Sequence, residues 1–592
     1  HYLPPLSSLF PMVYILRRLV HRGLPVLCFK RKFKCTVSQM AKSKFEYVKS
    51  FETEDKLDPG HWIVIALHCQ NYDRLCKVHG FKRPNDLRFT QLMEASAKSV
   101  MEDFKELVMG YGFLGEFSFV FPKSSSLYKR RGPKLLTNLC SLMASSLVHI
   151  WPCYFRSVSL CCPPVIEGAI HLFPDDQSLR DYMTQRQLIC HHHNLFNTVF
   201  WALVLKVGLS SEDATILLNG KREGEQNEIL FSKCNINYNT EDVVFKKGSI
   251  ILRTTIQMAV TTPNGLTAQR NQSRVITMYT DFIKDNFWKE IFILEQHTKV
   301  NAKTNYLKDF ERKPKLLPHS WVVVRIDGKG FHKFSERHNF SKPNDNRSIE
   351  LMNKAALEVM QKFPDIVLSY GQSDEYSFVI DRYSKMMDRR GNKIMSNIVS
   401  LFAATYVYNW HNVFGNTTLE YSPAFDARVV LYPNNSCLCD YLSWRQADCH
   451  INNMYNTCFW MLVQVGNKSR KEAEERLRGT FAKDKRAILL SDFGLDYDVE
   501  DAMYRKGTVM FRQNPRGIGA ASSQLAASKL EHLSGNSQGN ISSKTTSIEK
   551  EEGHCITVVT EHTDMIGDQF WTQRPWILGL EQCAKPLDNF YD

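Results

Sequence analysis

The chain contains the same domain twice. Trp62-Ile-Val-Ile-Ala-Leu-His-Cys aligns with Trp321-Val-Val-Val-Arg-Ile-Asp-Gly, and Tyr111-Gly-Phe-Leu-Gly-Glu-Phe-Ser-Phe aligns with Tyr370-Gly-Gln-Ser-Asp-Glu-Tyr-Ser-Phe, both at an offset of 259 residues. The register also holds at Lys82-Arg-Pro-Asn-Asp against Ser341-Lys-Pro-Asn-Asp, at Arg130-Arg-Gly-Pro-Lys against Arg389-Arg-Gly-Asn-Lys, and at Asn194-Leu-Phe-Asn against Asn453-Met-Tyr-Asn. It begins at Tyr47 and Tyr306 and runs without insertion to Arg253 and Arg512. About two hundred positions in fixed register mean one fold used twice, not a short solenoid repeat. A chain of 592 residues is long enough for a full core in each copy.

Beyond Arg253 the copies diverge in length. Asp281 and Trp288 match Asp564 and Trp571 at an offset of 283. The extra residues fall between about Asn514 and Gly553, a stretch rich in Ser, Gly and Asn that reads as a mobile surface loop. The connection from Glu295 to Asn305 is short and polar. The two copies are therefore expected to pack together as a built-in imitation of a homodimer, with a homo-oligomer left open. The expected domains are a degenerate copy over 40–294 and a working copy over 300–592.

Residues 1–39 form a leader with seven Lys or Arg and no Asp or Glu. Such a segment reads either as an organelle transit peptide or as extra upstream translation before Met40-Ala-Lys-Ser-Lys, and the second reading is favoured. A net charge of +13 suits a polyanionic partner without identifying one. The 16 cysteines lack zinc-like spacing and read as reduced thiols. With no run of eighteen apolar residues, no membrane-spanning helix and no membrane partner are expected.

In the second copy, Trp321 to Ile326 is a β-branched run ended by Asp327-Gly328. Asn344-Asp345-Asn346 reads as a helix N-cap region, followed by Leu351, Ala355, Val359 and Met360 at helical spacing. Ile366–Tyr370 and Glu375–Ile380 read as a hairpin around Gly371 to Asp374, and Lys393–Trp410 as a further helix. Strand, helix, hairpin, helix opens a split βαβ, ferredoxin-like sheet. The fold class is thus α/β (α+β), with two tandem ferredoxin-like domains and helical additions.

Asp327 ends the first strand and Asp374 sits in the hairpin turn. If those strands are neighbours, two carboxylates converge on one edge. Paired acids of this kind suit Mg²⁺, which takes few protein ligands and leans on substrate phosphates, and two such ions serve phosphoryl transfer. Each Asp alone has a plainer reading as a turn residue. Their joint replacement in the first copy, by His68 and Gly115, favours the metal reading. Gly328-Lys329-Gly330-Phe331-His332-Lys333 then offers glycines and lysines to a triphosphate. It is not a P-loop, because GxxxxGK[ST] is absent. The first copy has Cys69-Gln70-Asn71-Tyr72-Asp73-Arg74 there, losing both glycines and gaining an acid.

These residues carry a family resemblance. Arg325-Ile-Asp-Gly-Lys-Gly-Phe-His-Lys-Phe334, Lys342-Pro-Asn-Asp345, Tyr370 to Phe378, Trp444-Arg-Gln-Ala-Asp-Cys-His-Ile-Asn-Asn453 and Tyr504-Arg-Lys-Gly507 together resemble the tRNA(His) guanylyltransferase family, in the tandem form found in plants. The resemblance implies a palm-like fold shared with nucleic-acid polymerases. It implies magnesium-dependent addition of one guanylate to the 5′ end of tRNA(His). The 5′-phosphate is first activated with ATP, the 3′-OH of GTP attacks, and pyrophosphate is removed. It further implies that Asp327 and Asp374 bind two Mg²⁺ ions, with the Gly328 carbonyl on one of them. Asp327, Gly328, Lys329, Gly330, Phe331, His332, Ser373 and Asp374 would hold the nucleotide. The implied place of work is the nucleus or cytoplasm, with organelle targeting by 1–39 less favoured. Broader 3′-to-5′ repair of tRNA ends would use the same residues. A non-catalytic tRNA-binding protein describes the first copy better than the second.

Lys342, Arg389, Arg390, Lys393, Arg505 and Lys506 are candidates for triphosphate or tRNA backbone, each weighed against plain surface charge. His450, Asn453 and Asn456 have counterparts in His191, Asn194 and Asn197, so their role is either tRNA contact or structural hydrogen bonding. Consecutive residues in Cys190-His-His-His193 point different ways, which disfavours a metal site.

Overall fold

Two antiparallel sheets with the same central strand order form the frame. A computed structural model describes residues 44–261, 267–283, 287–288, 305–513, 544–545 and 557–580. The basic leader lies outside these, as does the Asn514–Gly553 stretch apart from Lys544–Thr545.

The first copy contains β1 (Trp62–Cys69), α1 (Leu87–Asp103), β2 (Met109–Phe113), β3 (Glu116–Phe121), α2 (Gly132–Tyr154), β4 (Ile166–Phe173), α3 (Asp176–Ala202), β5 (Ser249–Thr261) and β6 (Thr267–Met278), with β7 (Glu311–Arg312) added to its edge. The second contains β8 (Trp321–Gly328), α4 (Asn346–Lys362), β9 (Ile366–Gln372), β10 (Glu375–Ile380), α5 (Gly391–Tyr408), β11 (Phe425–Tyr432), α6 (Asn435–Gln464), β12 (Thr508–Arg512), β13 (Lys544–Thr545) and β14 (Val558–Glu561). The strand orders are β6-β5-β2-β3-β1-β4-β7 and β11-β8-β10-β9-β12-β14-β13. Each holds the four-strand ferredoxin-like core, with the first strand of the copy paired to strands on both sides.

Local chemistry explains the elements. Val322, Val323 and Val324 are β-branched and buried, as a central strand covered on both faces requires. The strand continues through Asp327 and Gly328 rather than stopping before them, because β11 pairs with it up to Gly328. Asp345 caps α4 by accepting the Arg347 N–H at 3.0 Å, worth about 1 kcal/mol. Leu351, Met352, Ala355, Ala356, Val359 and Met360 bury one face of that helix.

The copies share interior. One apolar cluster runs from Leu57 and Ile63 through α2 and α5 to Ile326, Phe402 and Phe425. Helix α2 is long and apolar enough by composition to cross a membrane, yet 83% of its apolar window is buried inside the protein. A stripe of hydroxyls on it covers the edge of β11. Ser141 Oγ accepts the Phe425 N–H at 2.9 Å and donates to the Phe425 carbonyl at 2.7 Å. Thr137 Oγ1 accepts the Ala427 N–H at 2.9 Å, and Ser145 donates to the Pro423 carbonyl at 2.7 Å. On the other side, Ser396 and Ser400 of α5 accept the N–H groups of Gly168 and Ile166 on β4, at 3.0 and 2.9 Å. Edge strands expose unpaired backbone groups, and here side chains of the opposite copy satisfy them.

Entry arms also cross. The turn Glu46–Phe51, before the first copy, packs on β11 and α6 of the second, where Tyr47 donates to Asp440 at 2.5 Å. The turn Asn305–Phe310, before the second copy, packs on β4 and α3 of the first, where Tyr306 donates to Asp181 at 2.5 Å. The two arms mirror one another, as parts of an isologous dimer interface would.

Candidate active site

The register of β8 gathers acids at one end of the second sheet. Asp327 lies directly opposite Glu375 of β10 on one side and Asp426 of β11 on the other. Asp374 sits beside them in the two-residue turn Ser373-Asp374, where Ser373 takes a left-handed φ of 50°. The turn is tied to the strand end by the Gly328 N–H, which donates to the Asp374 carbonyl at 3.0 Å. The two acids singled out from sequence are thus brought together, with two more that sequence reasoning missed.

Counter-ions divide the four. Arg445 grips Glu375 through two hydrogen bonds of 2.7 and 2.9 Å. Lys134, from α2 of the first copy, pairs with Asp426. Among the described residues no ion pair engages Asp327 or Asp374. Their pKa values follow. Burial against surrounding protein, then the charges of Asp374, Asp426 and Glu375, push Asp327 up to about 7, although its carboxyl still reaches solvent at the open edge. Burial, with Glu375 and Asp426, pushes Asp374 up to about 6 against hydrogen bonds from its own N–H and from Ser373. Two unpaired acids in a field of other acids would be relieved by a cation.

Among the described residues no three His, Cys, Asp or Glu form a ready-made cage. That fits a hard ion held by one or two carboxylates and completed by water and substrate phosphates. The donor set, all oxygen with no thiol or imidazole at Asp327 and Asp374, suits Mg²⁺.

The loop after Asp327 is shaped by its glycines. A Cβ at Gly328 would lie 2.3 Å from the Phe331 ring, and Gly330 turns the chain at φ +66° into the short helix Phe331–Arg337. The Phe331 ring is buried against Phe334 at 5.0 Å and Phe425 at 4.9 Å, so what this residue can present to a ligand is its main chain. Lys329 and His332 lie on the loop surface. Lys329 is not free: it pairs with Asp103 of the first copy.

The first copy differs from the second by more than the two acids. His68 lies opposite both Glu116 and Glu167. Arg186 pairs with Glu116, and Lys393, from the second copy, pairs with Glu167. At Gly115, in the place of Asp374, a Cβ would stand 3.2 Å from both Cys69 Cβ and the Tyr72 ring. Asn71 takes the Gly330 turn at φ 54°, so the loop shape survives where its chemistry does not.

Several basic candidates are already engaged. Arg389 is a structural anchor: its guanidinium donates to the carbonyls of Leu317, Ser320, Arg382 and Ser384 at 2.5 to 3.4 Å. Arg130 does the same in the first copy, which is why both copies keep it. Lys342 donates to Ser335 at 3.0 Å, and Arg505 to the Glu500 carbonyl at 2.7 Å. Asn453 is buried, donating to Tyr497 at 3.1 Å and accepting from Asn344 at 2.9 Å; Asn194 repeats this with Tyr238 and Asn85. Structural bonding therefore accounts for this asparagine in both copies. In the histidine run, His192 pairs with Glu223 and His193 with Asn197.

Asp426 escaped the sequence reading because its counterpart, Glu167, is also acidic. Comparing the two copies reveals only the positions at which they differ. The alternation of Phe425-Asp426-Ala427-Arg428 on an edge strand was the available signal.

Known proteins match this arrangement. The sequence profile of the family described as tRNAHis guanylyltransferase matches residues 45–174 and again 304–433. The profile described as Thg1 C terminal domain matches 177–301 and 436–567. The chain is 38% identical over 491 residues to tRNA(His) guanylyltransferase 1 of Arabidopsis thaliana, covering 82% of this chain and 86% of that one. It is 36% identical over 562 residues to tRNA(His) guanylyltransferase 2 of the same plant, covering 91% and 100%. A probable tRNA(His) guanylyltransferase of Bos taurus is 47% identical over 281 residues, which is 48% of this chain and 89% of that protein. The chain belongs to the tRNAHis guanylyltransferase family, a family of nucleotidyltransferases, and carries both of its sequence units twice.

Proposed function

We propose that this chain adds a guanylate to the 5′ end of tRNA(His), using the second copy as its catalytic half. The observation that carries the reading is the pair Asp327 and Asp374, unpaired acids at one sheet end in the copy that keeps every family motif. Asp327 and Asp374, with the Gly328 carbonyl, would hold Mg²⁺, which supplies charge neutralisation at substrate phosphates when bound. The chain's own part is positional. The end of β8 and the Ser373-Asp374 turn hold the acids at the same end of the sheet. The glycines let main chain approach a GTP or ATP triphosphate, and Lys329 adds a positive charge. Arg445 and Lys134 neutralise Glu375 and Asp426, so that Asp327 and Asp374 are the acids left to meet a cation. The first copy would serve as scaffold, with the two halves acting as a fixed intramolecular pair.

The test is incubation of the full chain with 5′-monophosphorylated tRNA(His), ATP, labelled GTP and Mg²⁺, beside a second tRNA. Label on tRNA(His) that depends on ATP and Mg²⁺ is the expected result. No label on either tRNA would overturn the assignment. Equal labelling of both would favour the broader end-repair activity.

A further inference from the structure

Lys329 belongs to the loop assigned above to the nucleotide, yet its ammonium is already occupied. It pairs with the Asp103 carboxylate at the end of α1 in the first copy, and lies 4.1 Å from the centroid of the adjacent Phe104 ring. Phe104 is 2% exposed and fixed in the core, so the ring is a rigid wall rather than a drifting side chain. Tyr128 of the same copy packs edge-on against it at 6.5 Å. The loop main chain is held independently, by the Lys329 N–H donating to the Ala424 carbonyl at 2.9 Å.

The mirror position keeps the backbone anchor, with the Gln70 N–H donating to the Val165 carbonyl at 2.9 Å, but not the ion pair. The counterpart of Lys329 is Gln70, and the counterpart of Asp103 is Lys362. Two other cross-copy pairs, Lys134 with Asp426 and Lys393 with Glu167, obey the internal symmetry, whereas Glu52 with Arg325 and Arg428 does not. The Asp103–Lys329 pair breaks it too, at the site that keeps its acids.

We propose that Asp103 is a brake on nucleotide binding, by which the first copy competes with the triphosphate for the Lys329 ammonium. This rests on the reading of the second copy as the nucleotide site. Two effects act in the same direction. A triphosphate reaching Lys329 must break or share the pair, and it must also approach the Asp103 carboxylate, a like charge. Because the loop backbone has its own anchor, losing Asp103 frees the side chain without unfolding the loop. Both side chains are partly exposed, so the penalty is that of a screened pair with some cation–π support, about two- to fivefold in affinity.

The experiment is equilibrium binding of GTP to the full chain with Mg²⁺, for the natural protein, Asp103→Asn, Lys329→Gln and the double variant. Thermal unfolding run alongside confirms that each is folded. The expected result is binding two- to fivefold tighter for Asp103→Asn, weaker for Lys329→Gln, and a clearly smaller effect of Asp103→Asn once Lys329 is gone. Asp103→Glu, which keeps the charge, should bind like the natural protein. Unchanged or weaker binding by Asp103→Asn would overturn the brake. So would equal tightening with and without Lys329, because Asp103 would then act as a bare charge. Failure of the natural protein to bind GTP at all would instead sink the nucleotide-site reading itself.

Discussion

Lys134 and Asp426 form an ion pair between the two copies, and Lys393 and Glu167 form its mirror image. In the second copy the pair touches the acid that lies directly opposite Asp327. Removing the lysine leaves Asp426 uncompensated and adds to the negative field at Asp327. Lys134→Gln should therefore raise the Asp327 pKa further and move the acid limb of guanylate addition to higher pH. Asp426→Asn should move it lower. The measurement is the pH dependence of single-turnover addition at fixed Mg²⁺; a limb unmoved by both variants would disconnect Asp426 from the site.

The raised acids also make a linkage prediction. Asp327 and Asp374 hold their protons more tightly in the fold than in the unfolded chain, about 7 and about 6 against ordinary carboxylate values near 4. That stabilisation is full below pH ~4 and is lost as pH rises through about 7. The metal-free protein should thus lose stability between about pH 4 and about pH 7, and Asp327→Asn should remove much of the loss. Screening at the open edge limits the gain at pH 8 to about 1 kcal/mol. Denaturant unfolding with and without Mg²⁺ checks this. Magnesium should restore stability at pH 8, and its apparent affinity should weaken as pH falls below 7, because protons compete for the same oxygens.

The second copy was legible where a local signal existed. The valines of β8, the Asp345 cap and the 3.6-residue spacing of α4 each carry their own physics. Asp327 and Asp374 stood out because the repeat supplied a copy without them. What could not be read was set by tertiary placement. Lys134 lies 292 residues from Asp426 in sequence, and no periodicity points one at the other. Arg389 was open to misreading because an arginine bound to carbonyls and one bound to phosphates look alike in a string of letters. Nothing local marks Thr137, Ser141 and Ser145 as partners of a strand edge; their hydroxyls meet Ala427, Phe425 and Pro423 only through the fold.

Asp327→Ala or Asp374→Ala should abolish guanylate addition while leaving the fold and tRNA binding intact, as followed by circular dichroism and filter binding. Turnover retained by either variant would refute their assignment. The converse repair should fail. With Asp327 replaced by Ala, introducing His68→Asp and Gly115→Asp should yield no activity. An Asp at 115 would press its Cβ to 3.2 Å from Cys69 Cβ and the Tyr72 ring, where the second copy has the bare backbone of Gly328. Lys393 already neutralises Glu167, and Gln70 stands in the place of Lys329. Labelled product from this triple variant would show that two carboxylates suffice and that the loop matters less than its geometry implies.

The hydroxyl stripe separates stability from function. Ser141→Ala leaves both the N–H and the carbonyl of Phe425 without their partner in a buried position, and Ser400→Ala does the same to the Ile166 N–H. Each should cost about 1–3 kcal/mol in denaturant unfolding, the penalty for a buried polar group left unpaired. Their effects on the site should differ. Phe425 immediately precedes Asp426 and pairs with Gly328, so loosening it shifts the edge that carries the acids. Ile166 pairs with Cys69 beside Glu167, at the first copy's counterpart of the site. Ser141→Ala should weaken the Mg²⁺ dependence of guanylate addition severalfold, whereas Ser400→Ala should leave it unchanged at equal fraction folded. Equal effects of the two would mean that the halves fail as one body, and that β11 has no separate role in holding the carboxylates in place.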